Sequence, residues 1–241
     1  MPDELFDDDY RYFYESVVSD ERSDADVETV ARLVSPGNGV RVLDVPCGEG
    51  RIAGRLEALG CDVVGIDNNA GFLRLARERY PRVDFREADM RRLDYEGSFD
   101  LVVNWFTSFG YFDPAANDAL LGSLARALRP GGHLIVDLYN PARLRRLVEL
   151  AGGASATVTE RGADLMVDRL TIDDQEGRGR TDRFMVRDGR VRKVKFSIEL
   201  VDADALVRRL LAAGFRRVHL FGAGGGPFDP DGPRLIARGE R

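Results

Sequence analysis

The sequence predicts an α/β protein whose main sheet is doubly wound, mostly parallel and seven-stranded. Short apolar runs of strand length alternate with segments of helical periodicity from about residue 25 to residue 140. Several of these runs are apolar almost throughout, which is typical of parallel strands that are covered on both faces. The first run, at 40–45, leads directly into a glycine turn and a helix start, as in the nucleotide-binding turns of such folds.

The elements follow one another at the spacing of βα units. A short aromatic helix is expected at 3–19, and a second helix, capped by Ser23 or Asp24, runs to about Val34. The predicted strands of the main sheet are 40–45, 61–66, 83–86, 99–103, 133–138, 215–221 and 234–237. The predicted helices between them are 51–59, 70–79, 115–128, 141–150 and 203–213. The last strand follows a loop too short for a helical crossover, so it must pair antiparallel with a neighbour.

A different periodicity begins after residue 150. Between 157 and 200 apolar and polar residues alternate, which is the pattern of half-buried strands. Asp188-Gly189 is a two-residue hairpin signal, and Gly177-Arg178-Gly179 is expected to form another turn. The segment is therefore predicted as an inserted antiparallel β lid, or as a dimerisation subdomain that forms a homodimer through these strands. The resulting boundaries are 1–150 with 201–241 for the α/β domain and 151–200 for the insertion.

Composition and charge exclude several classes of protein. The 241 residues, 44% of them hydrophobic and 32% charged, are typical of one globular domain with an insertion. A net charge of −6 argues against a nucleic-acid partner, which usually leaves a basic surface. No apolar run has the length of a membrane span and the acidic N-terminus lacks a signal-peptide core, so we expect a cytoplasmic protein. Two cysteines and two histidines predict neither a disulfide framework nor a metal site.

The turn after the first strand is the predicted ligand site. Residues 48–53 read Gly-Glu-Gly-Arg-Ile-Ala and match the dinucleotide fingerprint G-x-G-x-x-A. Asp67, at the end of the second strand, can accept hydrogen bonds from ribose hydroxyls. On these features alone NAD is a fitting ligand, and an NAD-dependent oxidoreductase is one interpretation.

Two further acids favour a different cofactor. Asp44 lies within the first buried strand, where a carboxylate needs a partner and a ligand ammonium would suit it. Asp89 follows the third strand and can accept a hydrogen bond from an adenine amino group, with Met90 packing on the ring. No complement for a pyrophosphate and no residues placed for hydride transfer accompany the glycine turn. A ligand with an ammonium, a ribose and an adenine but no phosphate is S-adenosylmethionine (SAM), although each acid also has a purely structural interpretation.

The strand ends carry a series of motifs in a fixed order. They are Val42–Arg51, Gly65–Asn68, Ala88–Arg91, Phe99–Asn104 and Leu128–Leu134. Together they resemble the successive motifs of class I SAM-dependent methyltransferases, which implies a Rossmann-like fold and SAM as cofactor. The resemblance covers roughly residues 25–140 and 203–239. Residues 104–112 resemble a small-molecule branch that includes sugar N-methyltransferases of antibiotic pathways.

The resemblance implies a role for each matching position. Gly48 and Gly50 would shape the turn under the cofactor, and Asp44 would anchor its methionine end. The full set of implied cofactor-binding residues is Arg22, Asp44, Pro46, Gly48, Gly50, Asp67, Asn68, Asp89, Met90 and Asn104. Within it, Arg22 is the candidate for the cofactor carboxylate, because related enzymes often hold that group from the helix that it precedes. Pro46-Cys47 departs from the small residues that are usual before the first glycine.

Aromatic residues after the fourth strand and in the first helix are candidates for the acceptor site. The proposed substrate-binding set is Tyr14, Trp105, Phe106, Phe109 and Tyr111. The candidates for orienting the acceptor or taking its proton are Tyr111, Tyr14 and Tyr10, which otherwise serve only in packing. Arg183 or Arg187 of the insertion could face a substrate carboxylate.

The predicted function is methyl transfer from SAM to an N or O atom of a small-molecule acceptor by in-line displacement. No general base is evident in the sequence. The alternatives are an NAD-dependent oxidoreductase and a catalytically silent SAM-binding module.

Overall fold

Two β-sheets form the framework of the protein, and the computed structural model describes them within residues 5–241. The strands are β1 (Arg41–Asp44), β2 (Asp62–Asp67), β3 (Asp84–Glu87), β4 (Phe99–Asn104), β5 (Leu128–Tyr139), β6 (Ser155–Arg161), β7 (Asp164–Asp173), β8 (Arg178–Arg187), β9 (Arg190–Glu199), β10 (Arg217–Phe221) and β11 (Arg234–Glu240). The α-helices are α1 (Asp8–Val17), α2 (Asp20–Val34), α3 (Arg51–Ala58), α4 (Ala70–Arg79), α5 (Pro114–Ala127), α6 (Pro141–Leu150) and α7 (Ala203–Ala212).

The main sheet has seven strands in the order β10-β11-β5-β4-β1-β2-β3. The pairings among β1 to β5 are parallel, and β11 pairs antiparallel with both β5 and β10. The predicted fold class is therefore confirmed, including the antiparallel last strand. Because β1 and β4 are central neighbours, their carboxyl ends lie side by side at one edge of the sheet.

Alternate residues of the central strands supply two separate apolar layers. Leu43 and Val102 belong to the layer formed with α5 and α7, whereas Val42 and Val103 belong to the layer formed with α2, α3 and α4. All four side chains are fully buried. This double coverage explains why these strands read as continuous apolar runs in the sequence.

Three predicted boundaries are wrong. Helix α2 begins earlier than predicted and is capped by Ser19, whose hydroxyl accepts the Arg22 N–H at 3.3 Å. The prediction placed the cap too late because the first turn of the helix is polar and carries no apolar periodicity. Gly177 ends a turn after β7, but Arg178 and Gly179 already belong to β8, where Gly179 packs against leucine side chains. Strand β5 begins at Leu128 and shifts register before it resumes at His133, so the predicted turn is an irregularity within the strand.

The insertion forms a separate second sheet, in which β6, β7, β8 and β9 are each antiparallel to the next. The predicted turn at Asp188-Gly189 is present, with both residues at positive φ. Helix α1 begins at Asp8 and packs against the inner face of this sheet through Phe13. Of the predicted helix at 3–19, residues 3 and 4 lie outside the described residues.

Ion pairs attach α1 to the second sheet. Asp9 binds Arg187 at 2.9 Å, Arg161 binds Glu15 at 2.8 Å, and Arg192 binds both Asp9 and its neighbour Asp7. The first helix therefore packs on the insertion, which lies far from it in the chain, while Arg11 of the same helix pairs with Glu49 of the glycine turn at 3.1 Å. No helix among residues 5–241 is both long and apolar enough to cross a bilayer.

Candidate active site

A cavity of about 1220 Å³ lies between the carboxyl edge of the main sheet, α1 and the inner face of the second sheet. Asp44 and Asp67 line its floor at the ends of β1 and β2, and Arg183 of β8 lines the opposite wall. This is the edge at which open α/β sheets bind ligands. Its volume is larger than that of most sites for one drug-sized ligand, so there is room for a cofactor and a compact second molecule.

The glycine turn brings backbone N–H groups to the floor of the cavity. Gly48 and Gly50 have φ values of 54° and 77°, which side-chain-bearing residues rarely adopt. A Cβ atom on Gly50 would also lie 2.5 Å from the Phe85 ring. The Gly48 N–H donates to Asp67 at 2.9 Å, and the Asn69 N–H donates to the other oxygen of the same carboxylate at 2.9 Å. Asp67 thus connects the turn to the end of β2.

Asp44 is a buried carboxylate at the bottom of the cavity, with 1% of its surface exposed. Its Oδ2 accepts the Ala53 N–H of α3 at 3.1 Å. Burial raises the pKa of Asp44 to about 7, and the nearby positive charge of Arg51 opposes the shift. Burial also raises the pKa of Asp67, against the two backbone N–H donors. A cationic ligand group beside these acids would restore their ordinary acidity.

The structure brings most of the predicted site residues together around this one cavity. The predicted residues that line it are Tyr10, Tyr14, Asp44, Pro46, Gly48, Asp67, Asn68, Trp105, Phe106, Phe109 and Tyr111. Asp89 and Met90 instead line an adjoining cleft of about 10 Å³, together with Phe112. That cleft is too small for a purine, and Asp89 already binds the Arg91 guanidinium, which lowers the pKa of Asp89.

Three further predicted cofactor residues line neither the cavity nor the adjoining cleft. Gly50 shapes the turn from below. Asn104 is fully buried; its amide N–H donates to the Val45 carbonyl at 2.7 Å, and its Oδ1 has no hydrogen-bond partner among the described residues. Arg22 is half exposed, its Nε pairs with Asp26 at 3.1 Å, and its guanidinium lies 5.9 Å from the centre of the Phe106 ring, which itself lines the cavity.

Arg51 lines the cavity instead, and the sequence reasoning missed it as a ligand-binding residue. Its Nη1 binds Asp26 at 2.7 Å, whereas its Nη2 is buried without a hydrogen-bond partner among the described residues. The available signal was its position as the first residue of the helix after the glycine turn. A residue at that place projects from the helix N-terminus that faces the ligand.

The tyrosines of the cavity are hydrogen-bond donors rather than proton acceptors. Burial is the main cause that raises the pKa values of Tyr10, Tyr14 and Tyr111, in the case of Tyr14 to about 12. Tyr10 and Tyr14 stack with ring centroids 4.1 Å apart, and Tyr111 stacks on Phe196 at 6.4 Å. At neutral pH each hydroxyl keeps its proton, which favours orientation of an acceptor over general-base catalysis.

Of the two candidate arginines of the insertion, Arg183 lines the cavity and Arg187 does not. Arg183 forms two hydrogen bonds of 2.7 Å with Asp168, and Arg187 binds Asp9 of α1. Acids of the protein already neutralise both side chains, which does not favour the predicted pairing with a substrate carboxylate, although Arg183 Nη1 has no hydrogen-bond partner among the described residues.

A buried ion pair holds the loop that carries Phe106. Phe106 and Thr107 have φ values of 62° and 58°, which is unusual for two consecutive residues with side chains. Their N–H groups donate to the Asp137 carboxylate at 3.0 Å and to its backbone carbonyl at 2.8 Å. Arg234 of β11 pairs with Asp137 and also donates to the Thr107 hydroxyl at 3.1 Å. The network fixes the Phe106 ring over Arg51, 5.1 Å from the guanidinium.

Comparison with known proteins assigns the chain to a family. The family described as methyltransferase domain matches residues 42–132. The cypemycin N-terminal methyltransferase of Streptomyces sp is 32% identical over 187 residues, which cover 70% of this chain and 75% of that protein. The chain belongs to the SAM-dependent methyltransferases. This membership decides the cofactor in favour of SAM, so neither NAD-dependent oxidoreduction nor a silent binding module describes this methyltransferase.

Solved structures share the fold of this methyltransferase over nearly its whole length. SAM-bound CalS10, an amino pentose methyltransferase from Micromonospora echinaspora, superimposes with a TM-score of 0.69 at 21% identity and covers 98% of both chains. The sugar N-methyltransferase KedS8 from Streptoalloteichus sp ATCC 53650 has a TM-score of 0.70 at 24% identity and covers 96% of this chain and 92% of that chain. At these identities the likeness shows the fold alone.

Proposed function

We propose that this methyltransferase transfers a methyl group to the nitrogen of a small-molecule amine. The observation that carries the proposal is the single cavity that extends from Asp44 and Asp67 to the inner face of the second sheet. One half of it suits the cofactor, and the other half is walled by aromatic rings and by the insertion at 151–200, which acts as a lid. The activity then consists mainly in alignment of the acceptor with the methyl donor, which can lower a barrier by roughly 7–11 kcal/mol.

The residues present fit SAM. When bound, SAM supplies an electrophilic methyl group on a positively charged sulfur. Asp44 would accept hydrogen bonds from the ammonium group of the cofactor and Asp67 from its ribose hydroxyls. The unpartnered Nη2 of Arg51 would donate to the cofactor carboxylate, in place of Arg22. Asp89 and Met90 stay the candidates for binding the adenine, although their cleft beside Phe112 does not admit a purine in this structure.

A nitrogen acceptor fits this site better than an alcohol. Among the described residues that line the cavity there is no histidine and no lysine. The carboxylates of the acceptor half, Asp168 and Glu199, are each paired with an arginine. An alcohol needs a base to develop its nucleophile, whereas an amine carries a lone pair once its ammonium has lost a proton to water. The printed names of the cypemycin enzyme and of KedS8 also refer to N-methylation.

Mass spectrometry with SAM tests the proposal directly. The purified protein is incubated with SAM and two matched panels, one of amines and one of the corresponding alcohols. We expect a mass increase of one methyl group in amines only, together with formation of S-adenosylhomocysteine. Methylation of alcohols alone would contradict the choice of nitrogen.

Asp67→Ala is expected to weaken SAM binding by more than about tenfold. The substitution removes the proposed ribose acceptor and the two hydrogen bonds that hold the glycine turn, each worth about 1 kcal/mol or more. Calorimetric titration with SAM measures the effect, and Asp62→Ala, at the exposed start of the same strand, is the matched control. An unchanged affinity in a folded Asp67→Ala protein would remove Asp67 from the site.

We further propose that the second sheet forms a homodimer contact through its outer face. Val158 and Val191 on that face are 54% and 72% exposed, and Phe184 lies between them in the sheet. Val158→Lys with Val191→Lys is expected to shift the protein from dimer to monomer in sedimentation. A monomeric parent protein would refute the contact and leave the cavity unaffected.

A further inference from the structure

The inner face of the second sheet is part polar and part apolar, and one of its polar rows crosses three strands. Thr157 of β6 lies opposite Asp168 of β7, and Asp168 lies opposite Arg183 of β8. All three residues line the cavity. The neighbouring inward-facing apolar residues are Met166, Leu170, Met185, Val194 and Phe196. Polar groups placed on an apolar wall require partners, and in a binding cavity the ligand supplies them.

Within the Asp168–Arg183 ion pair, Asp168 is the residue that is accessible to a ligand in the cavity. The Arg183 side chain is 3% exposed, whereas the Asp168 side chain is 23% exposed. Arg183 donates its Nε and Nη2 hydrogens to the two Asp168 oxygens at 2.7 Å each. These two hydrogen bonds fix the orientation of the carboxylate. Each carboxylate oxygen has a second lone pair, so Asp168 can still accept hydrogen bonds from the cavity side.

Tyr14 adds a donor beside this acceptor. Its hydroxyl oxygen accepts a hydrogen bond from Arg183 Nη2 at 3.1 Å, which leaves its own proton free to be donated. With the pKa of Tyr14 raised to about 12, that proton is present at every physiological pH. The stacked Tyr10 ring and the Phe196 ring, 5.1 Å from the guanidinium, provide apolar surface on either side.

We propose that Asp168, oriented by Arg183, binds the acceptor, and that it selects an amine with a neighbouring hydroxyl and without a carboxylate. Asp168 accepts from an N–H or O–H of the acceptor, and Tyr14 donates to the hydroxyl oxygen. The positive charge of Arg183 is already balanced, so a carboxylate in this half of the cavity would meet Asp168 first and be repelled. Arg183 is a positioning residue. The proposal rests on the proposed amine methylation, because it names the substrate class of that site.

A pair of probes that differ in one group tests the selection. The protein is first loaded with S-adenosylhomocysteine, and trans-2-aminocyclohexanol and trans-2-aminocyclohexanecarboxylate are then titrated by saturation-transfer NMR. We expect the amino alcohol to bind at least about tenfold more tightly than the amino acid, in keeping with the cost of placing like charges together. Asp168→Asn is expected to reverse this preference, because Arg183 then presents an unbalanced positive charge.

The control is Asp182→Asn, which removes the same charge from the opposite face of the same sheet. It should leave the probe preference and the S-adenosylhomocysteine affinity unchanged. Should Asp168→Asn fail to fold, the double variant Asp168→Asn with Arg183→Gln removes both charges and should bind neither probe selectively.

Three results would overturn the inference. They are equal or tighter binding of the carboxylate probe to the parent protein, absence of binding of both probes, and an unchanged preference in Asp168→Asn. If the ion pair had only a structural role, Asp168→Asn would lower the stability of the protein without reversing the preference between the two probes. Failure of the parent protein to bind S-adenosylhomocysteine would instead refute the cofactor half of the proposed function.

Discussion

Asp44→Asn is expected to weaken SAM binding by about a hundredfold at pH 8. A loss of this size is typical when one buried hydrogen bond between opposite charges is removed. The same substitution should raise the thermal stability of the unliganded protein. Asparagine keeps an oxygen for the Ala53 N–H but carries no charge that burial disfavours. Asp44 is therefore a residue whose ionised form costs stability and supports function, as is common at binding sites.

The direction in which folding stability changes with pH follows from the raised pKa of Asp44. Its value of about 7 exceeds the ordinary 3.8, so between these pH values the folded protein binds a proton that the unfolded chain does not. The destabilisation by Asp44 therefore grows as the pH rises from about 4 to 7 and is complete above 7. SAM affinity should change in the opposite direction and fall as the pH drops below 7, because the carboxylate must lose its proton to bind an ammonium.

Calorimetric titrations and thermal melts between pH 6 and pH 8 measure both effects. Asp84→Asn, on the exposed end of β3, is the control for a general change in charge. A tenfold or smaller loss of affinity at pH 8 for Asp44→Asn would place the cofactor ammonium elsewhere. A lower melting temperature at pH 8 would show that Asp44 is a structural acid.

Arg234→Met should destabilise the protein by about 3–5 kcal/mol, the usual result of leaving a buried carboxylate without its partner. Asp137 and Arg234 are 3% and 9% exposed, and Arg234 also donates to Thr107. Without the arginine, the left-handed backbone at Phe106 and Thr107 loses part of its support. We therefore expect weaker binding of S-adenosylhomocysteine as well, because Phe106 contacts Arg51.

Urea denaturation and calorimetry separate the two consequences. The double variant Arg234→Met with Asp137→Leu should recover stability relative to the single variant, because no unpaired charge is left. It should not recover affinity, since Asp137→Leu removes the acceptor of the Phe106 N–H. Arg238→Met, on the same strand, is the control, because the Arg238 guanidinium donates to the Leu33 carbonyl rather than to a carboxylate. A stability loss below about 1 kcal/mol in Arg234→Met would contradict the role of the ion pair.

The main sheet and the cofactor half of the cavity could be predicted because their signals are local. Apolar runs covered on both faces, a glycine turn and an acid at the end of β1 and of β2 are all visible within a few residues. The acceptor half depends on contacts between distant residues, such as that of Tyr14 with Arg183 across 169 positions. Alternation alone does not tell which face of a strand points inward. For this reason the sequence could not decide between Arg183 and Arg187, of which only Arg183 is among the described residues that line the cavity.

Arg51 and the Asp137–Arg234 pair were missed for a related reason. A lone arginine at a helix start, or one acid and one base on different strands, has no sequence pattern that distinguishes it from surface charge. Their significance appears only when pairing of β5 with β11 brings Asp137 beside Arg234. The same holds for the helix cap at Ser19, because the polar first turn of α2 gives no periodic signal.

The attachment of α1 to the second sheet has a kinetic consequence. Its ion pairs are partly exposed, so dissolved salt weakens them, whereas the main sheet is held by apolar burial that salt does not screen. We therefore expect local unfolding of α1 to become easier at high ionic strength, with the apolar contacts of the fully buried Phe13 as the part that salt does not weaken. Backbone amides of α1 should exchange with deuterium before those of β1 and β4, and faster at high ionic strength. Cofactor exchange would then have its own salt dependence, separate from that of global unfolding.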